Sequence, residues 1–320
     1  MTKRAVLIAG PTASGKSGFA MELAKQFDGV IVNADSMQVY DGLRILTARP
    51  SLEDEQALPH RLYGHVASDT RYSVGGWLRD ISPTLQDIWS QNQLPILVGG
   101  TGLYFKALTE GIAETPHISE SEHAAFVADH ANINIQDLQD RLARLDPVSA
   151  NKIERNDRQR TLRALMVLEQ TGQSLSDWQR SAAQQALLPL EQTVHRVLMP
   201  ADRAWLYARI EKRFLAMLDE GGEAEALTLL QKNLAGGLPV MNAISLPHYA
   251  AHMKDPETID RAEVVEKSVR DTRRYAKRQM TWFRNQMKDW PRLDPMDWVN
   301  DADKMLKDLQ QIAQELEKQA

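Results

Sequence analysis

"AVLIAGPTASGKS", residues 5–17, joins an apolar run to a glycine-rich turn that closes on lysine and serine. The run reads as a buried parallel strand, which has apolar neighbours on both faces and little alternation. Gly10, Gly15, Lys16 and Ser17 satisfy the spacing G-x-x-x-x-G-K-[ST], with Pro11, Thr12, Ala13 and Ser14 inside the loop. From average residue usage, a chance match arises in roughly one chain per hundred of this length. Here the match also lies between a strand and a helix, where the motif works. Phe19, Leu23 and Phe27 recur every four residues after Lys16, with Ala20 and Ala24 beside them. That spacing gives one buried helix face.

The chemistry follows from the loop. Glycines let backbone N–H groups turn inward around an anion, and the helix N-terminus adds partial positive charge. Lys16 brings a full charge, and Ser17 is the residue to hold Mg²⁺ beside a phosphate. By itself the motif names ATP or GTP as ligand. A P-loop nucleotidase, however, wants an acid at the end of a second apolar strand. The best candidate strand, "PILVGG" (95–100), ends in Gly99, Gly100 and Thr101 with no acid after it. The nearest acid at a strand end is Asp35, in "NADSMQVY" (33–40). The phosphate cradle is clear, and the phosphotransfer machinery around it is thin.

Working outward, "GVIVNADS" (29–36) and "LPILVGGTG" (94–102) read as further strands, and "GWLRDISPTLQDIW" (76–89) as a helix that Pro83 kinks or bounds. Strand and helix in alternation point to a parallel α/β sheet. From about "TPHIS" (115–119) the character is helical: Ile135, Leu138, Leu142 and Leu145 mark one helix, Asp146-Pro147 starts another, and Leu162, Leu165 and Met166 mark a third closed by Thr171-Gly172. "VHRVLM" (194–199) returns to strand, followed by helices at 203–219, 223–233, about 260–288 and 305–316. The expected architecture is α/β: a P-loop-type parallel sheet core flanked by helices, in two parts at 1–111 and 191–320, with an all-helical insertion domain at 112–190.

Composition bounds the rest. With 320 residues, 43% apolar and 25% charged, the chain resembles an ordinary globular protein. It has no run long enough for a membrane span, no signal-peptide cleavage pattern and no cysteine, which excludes disulfides and thiolate metal sites. The expectation is a cytoplasmic monomer. A net charge of −5 argues against coating bulk nucleic acid but leaves room for a local basic surface. Two segments offer one. "NKIERNDRQRTLR" (151–163) carries five basic residues against two acids. In "RRYAKRQMTWFR" (273–284), Arg274, Lys277, Arg278 and Thr281 lie off a buried stripe of Ala276, Met280, Phe283 and Met287, and Tyr275 and Trp282 stand nearby for stacking on bases. His117, His123 and His130 lack ligand-spaced companions and read as non-metal residues.

The blocks "GPTASGKS", "NADSMQVYDGL", "LTARP", "PHRLYG", "LVGGTGLYFKAL", "NDRQRTLRAL", "DRAWLYARIEKR" and "TRRYAKRQMTWFRNQ" occur in that order from residue 10 to about 286. Together they closely resemble the tRNA dimethylallyltransferases, also called isopentenyl-tRNA transferases. The resemblance implies transfer of a dimethylallyl group from its diphosphate to N6 of the adenosine immediately 3′ of the anticodon (position 37), in tRNAs that read codons beginning with U. Mg²⁺ is the implied cofactor and pyrophosphate the product. The cradle, Gly10 to Ser17, would then hold a departing diphosphate. It also implies Asp35 as general base, Thr101 as donor to the bridging oxygen, and Lys16 and Arg213 as diphosphate clamps. Ser36, Met37 and Gln38 would contact the everted adenine with Asp35 and Thr101; Gln159, Arg160, Thr161, Leu162 and Arg163 would contact tRNA, as would His123, which stands where the family commonly has arginine. Arg209 reads as a solvated helix face. The chain departs from the family at "LTARP" (46–50), where Leu46 replaces a glycine and Arg49 a lysine, and at "LPVMNAISLPHYAAHM" (238–253). The readings it displaces are a P-loop small-molecule kinase, an adenylate isopentenyltransferase and a nucleotide-switched RNA-binding protein.

Overall fold

The computed structural model describes residues 3–112, 118–181 and 186–318. The chain forms two compact units, one of residues 1–109 with 187–320 and one of residues 110–186. The expected insertion is displaced by a few residues at each end: the Gly102–Glu110 helix finishes the first stretch of the core, and Leu188 N–H already donates to Leu108 O there.

The larger unit is built on six strands, β1 (Ala5–Ala9), β2 (Gly29–Asn33), β3 (His60–Arg61), β4 (Leu94–Gly99), β5 (Thr193–Leu198) and β6 (Arg292–Leu293). Their order is β3-β2-β4-β1-β5-β6, and every pairing is parallel. Alternate side chains of one strand serve opposite faces. Leu7 and Leu97 join Trp77, Ile81, Phe105, Met280 and Phe283 on one side, while Val6, Ile8, Ile96 and Val98 join Phe19, Leu23, Ile312 and Leu316 on the other. Helices Val74–Ser90 and Arg261–Gln286 cover the first face; Lys16–Phe27 and Ala302–Lys318 cover the second. Trp77 is fully buried, and its indole N–H donates to Asn33 O at 2.9 Å. Truncating such a residue costs about 3–5 kcal/mol.

Several local expectations are corrected. The helix around Pro83 runs unbroken from Val74 to Ser90. Proline there removes one backbone donor, and the rest of this long helix, anchored by Trp77, Ile81, Leu85 and Ile88, holds it in register. The strand expected to reach residue 36 stops at Asn33, whose side chain folds back: its Oδ1 accepts from Asp35 N–H at 2.8 Å and its Nδ2 donates to Asp35 O. The short β3 and β6 edges, of two residues each, carry too little pattern to be seen in sequence.

In the smaller unit, five helices, Glu120–Asp129, Ile135–Leu145, Pro147–Lys152, Arg158–Thr171 and Leu175–Ser181, lie among the described residues. Phe126, Leu138, Leu142, Leu162, Leu165 and Met166 form its core. Side chains of Ser119, Asn134, Asp146 and Asp157 cap the first four helices. Ile135, Leu138, Leu142 and Leu145 lie on one helix as their spacing expects, and Leu145 is 50% exposed. Its position, three residues past Leu142 at the helix end, has turned away from the core. Among the described residues no helix is long and apolar enough to cross a membrane.

Candidate active site

The cradle is shaped by backbone conformation. Gly15 adopts φ 95°, in the left-handed region, and the Lys16–Phe27 helix starts directly after it. Around the loop, contacts come from distant parts of the chain. Thr12 N–H donates to Gln279 Oε1 at 2.8 Å, and Gln279 Nε2 donates to Gly100 O at 2.9 Å. One buried amide thus ties the phosphate loop to the end of β4. Arg213 donates to Thr12 Oγ1, and Arg209 Nε donates to Ala13 O at 3.0 Å. Arg209 is exposed, as its reading as a solvated helix face expects, yet it also braces the loop, with its guanidinium 4.7 Å from the Trp205 ring. The Ser14 hydroxyl is buried with no protein partner among the described residues.

Gly99 and Gly100 explain why no acid ends β4. A Cβ at 99 would lie 1.9 Å from Ala34 O, and one at 100 would lie 2.2 Å from Gln279 Nε2. The β4 terminus is packed too tightly for any side chain, and the acid comes from the neighbouring strand end instead. Asp35 Oδ1 accepts from Met37 N–H at 2.9 Å. Its other oxygen has no protein donor among the described residues. Thr101 Oγ1 accepts from Ser36 N–H at 2.9 Å and lies 3.2 Å from Ser36 Oγ, so β2 and β4 ends are joined through this hydroxyl.

Thr12, Lys16, Ser17, Asp35 and Arg213 line the polar end of one cavity of about 140 Å³; Ser36 and Thr101 are not among its lining residues. Burial pulls the Lys16 ammonium down to about 8; Asp35 opposes this and Arg213 adds to it. Burial also lowers Arg213, to about 10, helped by Arg209 and resisted by Asp35, so it stays charged at neutral pH. Two cations held short of full solvation beside one carboxylate make a site that gains from a polyanion. Tyr275, beside Gln279 and Thr101, is held protonated by burial and by the Asp35 charge. Tyr63 and Tyr104 are shifted the same way by the same two causes.

Gln38 also lines the cavity, but both protons of its amide are used: Nε2 donates to Thr47 O and Ala48 O, each at 2.8 Å. The contact with adenine expected of Gln38 is thus left to its carbonyl oxygen. Arg49, the lysine replacement, donates to Tyr40 O at 3.1 Å. The divergent segment 238–253 supplies Ala243, Ile244 and Ser245 to the wall. With Phe214 and Met217, these lining residues carried no motif, whereas Tyr63 and Thr272, which also line the cavity, lie in the quoted blocks "PHRLYG" and "TRRYAKRQMTWFRNQ". Gln279 showed only as one polar position in a basic helix.

The suspected RNA-facing residues separate by exposure. In the larger unit Arg274, Lys277 and Arg278 are exposed, and with Thr281, Trp282, Asn285 and Gln286 they line an open groove. Trp282 is shared: it packs partly against the core, with a Cβ at Gly102 placed 2.1 Å from its ring. In the smaller unit Gln159 and Arg160 are exposed and Arg163 is half-buried. Thr161 and Leu162 turn inward, Thr161 accepting from Gln139 Nε2 at 2.6 Å and Leu162 joining the core. His123 is half-buried on its helix. His130 is a core residue stacked on Phe126, with Nδ1 at 2.8 Å from Phe126 O. His117 lies outside the described residues. Among those, no cluster of three or more acids or histidines could hold a metal.

Comparison with known proteins shows the family. The family model described as "IPP transferase" matches residues 38–286, and that described as "Isopentenyl transferase" matches residues 3–65. A tRNA dimethylallyltransferase of Allorhizobium ampelinum is 49% identical over 292 residues, covering 91% of this chain and 95% of the relative. One from Methylobacterium nodulans is 49% identical over 296 residues, covering 92% and 96%. A solved tRNA isopentenylpyrophosphate transferase of Bacillus halodurans superposes with a TM-score of 0.71 at 31% identity, over 99% of this chain and 98% of that one. A eukaryotic dimethylallyltransferase acting on tRNA gives 0.76 at 25% identity, over 94% and 77%.

Proposed function

The chain belongs to the IPP transferase family, and from that premise we propose how its residues act on tRNA. It transfers a dimethylallyl group from dimethylallyl diphosphate to N6 of adenosine 37, in tRNAs reading codons that begin with U, and releases pyrophosphate. The observation that carries this reading is the single cavity joining the P-loop cations, Asp35 and an apolar wall. A diphosphate takes the cationic end and a hydrocarbon takes the other.

In the reaction the N6–C1 bond forms, the C1–O bond breaks, and N6 loses a proton. The amine is a weak nucleophile because its lone pair is delocalised into the purine. Asp35 takes the proton through its unengaged oxygen, a role worth typically 10²–10⁴-fold. The leaving pyrophosphate gathers charge, which Lys16, Arg213 and the amides of Ala13, Gly15, Lys16 and Ser17 meet in fixed positions. The Thr101 hydroxyl turns its proton from Ser36 to the bridging oxygen. Ser36, Met37 and the Gln38 carbonyl line the approach of the everted base, whose unstacking costs a few kcal/mol.

The donor set also suits Mg²⁺. This ion keeps several waters and takes only one or two protein groups plus phosphate oxygens, rather than a cage of carboxylates. The Ser17 hydroxyl would hold it, and it would neutralise diphosphate charge. tRNA is held by Gln159, Arg160 and Arg163 with His123 in the insertion, and by the Arg274–Lys277–Arg278 face in the core. The work is done in the cytoplasm, where the substrate tRNA resides. Incubation with radiolabelled dimethylallyl diphosphate, Mg²⁺ and unmodified tRNA, followed by nucleoside analysis, should yield labelled N6-dimethylallyladenosine. Rapid consumption of ATP with no labelled nucleoside would refute the reading.

A further inference from the structure

The Arg261–Gln286 helix carries Tyr275 into the lining of the cavity and, one turn on, sets Gln279 against the phosphate loop. Gln279 is buried, and partners of opposite kind fix its amide: Oε1 accepts from Thr12 N–H at 2.8 Å, and Nε2 donates to Gly100 O at 2.9 Å. A backbone N–H can only donate and a carbonyl can only accept, so this amide has one orientation. Its Nε2 has a second proton to place. The oxygen of Tyr275 stands within hydrogen-bonding reach of Gln279, and of Thr101 as well.

Tyr275 lines the cavity together with Thr12, Lys16, Asp35 and Arg213, whereas Gln279 and Thr101, the two neighbours of its oxygen, do not. Both neighbours ease ionisation of the phenol, which is what a donor to its oxygen does. Burial and the Asp35 charge outweigh them and keep the phenol protonated. An oxygen that accepts from the protein behind it has its one proton left for the cavity, where Lys16 and Arg213 are the cations.

We propose that Tyr275 is a further catalytic residue, whose phenol O–H donates a hydrogen bond to an oxygen of the departing pyrophosphate while Gln279 holds the phenol oxygen in place. This rests on the reading of the cavity as the prenyl-donor site. Once Thr101 turns its proton to the bridging oxygen, the Gln279 amide keeps the phenol oriented, and two hydroxyls address one leaving group. Pyrophosphate gathers negative charge as C1–O breaks, so a donor fixed beside it is stronger in the transition state than in the bound donor. The phenol keeps its proton throughout: C1–O breaks, N6–C1 forms, and Asp35 takes the proton that N6 loses.

The test is single-turnover transfer from saturating dimethylallyl diphosphate to unmodified tRNA, using the full chain, Y275F, and a chain with 3,5-difluorotyrosine at position 275. Y275F keeps the ring and deletes one oxygen. It should lower the rate by on the order of 10–10²-fold. The dissociation constant of dimethylallyl diphosphate and KM for tRNA should change by less than about threefold, as expected of an interaction made in the transition state. The fluorinated phenol is more acidic and loses its donor proton at lower pH. Its variant should stay active at low pH, with the basic limb of the pH–rate profile displaced below that of the native protein. A residue that merely walls the cavity leaves that limb where it was. Y275F at the native rate overturns the proposal. So does Y275F that only weakens donor binding, or a fluorinated variant with the native profile. Should Y275F fail to fold, the fluorinated variant, which retains the phenol, reads the same outcome. Native protein inactive with dimethylallyl diphosphate refutes the donor site itself, a separate outcome.

Discussion

The phosphate cradle and the Gln159–Arg163 block are both short, motif-like stretches, yet they are held in opposite ways. The cradle is fastened from far along the chain: Gln279, Arg213 and Arg209 reach Thr12 and Ala13 across 267, 201 and 196 residues. The insertion block is fastened locally. Asp157 caps its helix through Arg160 N–H, and Gln139 bonds Thr161 from 22 residues away. The difference teaches where precision is needed. A reacting phosphate must be met by groups fixed within a fraction of an ångström, which a loop cannot secure alone. A surface that grips a nucleic-acid backbone works by charge and tolerates looser placement.

The largest effect should come from the reacting centre. Asp35→Ala is expected to lower single-turnover prenyl transfer by about 10²–10⁴-fold while binding of dimethylallyl diphosphate persists. Loss of donor binding instead would make Asp35 a structural or metal-holding residue. Next, Gln279→Leu removes both bonds that tie Thr12 to Gly100. Misplacing the cradle should cost on the order of 10² in kcat with little change in KM for tRNA. An unaltered kcat would mean that the loop holds its own shape, and the contrast with the insertion would collapse.

A pH series sharpens the same contrast. Lys16 titrates near 8 in the free protein, so its charge is present below that pH and lost above it. The dissociation constant of dimethylallyl diphosphate should therefore rise as pH passes through 8, by up to about tenfold per unit. Lys16→Met should bind weakly and without that rise, measured by calorimetric titration. In the insertion, Thr161→Val removes the shorter of the two bonds of the Gln139 amide and should cost about 1–3 kcal/mol in stability of that unit by hydrogen exchange, leaving donor affinity alone. The smallest change belongs to Arg160→Ala, expected to weaken tRNA binding mildly and to reduce the slope of log K against log salt by about 1. An unchanged slope would take the side chain off the RNA surface.

Much of the core was legible because it is local. The apolar runs of β1, β2, β4 and β5 and the stripe of Ala276, Met280, Phe283 and Met287 follow period and composition directly. Illegible were features that depend on a distant partner. The bond from exposed Arg209 to Ala13 was hidden because nothing near Arg209 in sequence reveals that partner, and Gln38 looked free to read a base because Thr47 and Ala48 capture it only once the loop has turned. Thr161 and Leu162 shared a basic block, yet helical geometry sends them inward while Gln159 and Arg160 face out.

The sequence by itself determined the strand–loop–helix unit around Lys16, the helical character of the insertion and, through eight ordered blocks, the family. Those properties depend on residue type and spacing along one stretch of chain. Only the tertiary structure decided the sheet order, the use of Gln279 as the tie between the cradle and β4, and the meeting of Phe214 and Met217 with Ala243 and Ile244 in the lining of the cavity. Each of these is set by packing and hydrogen bonding between segments far apart in sequence, and local periodicity carries no record of which distant surface will close on which.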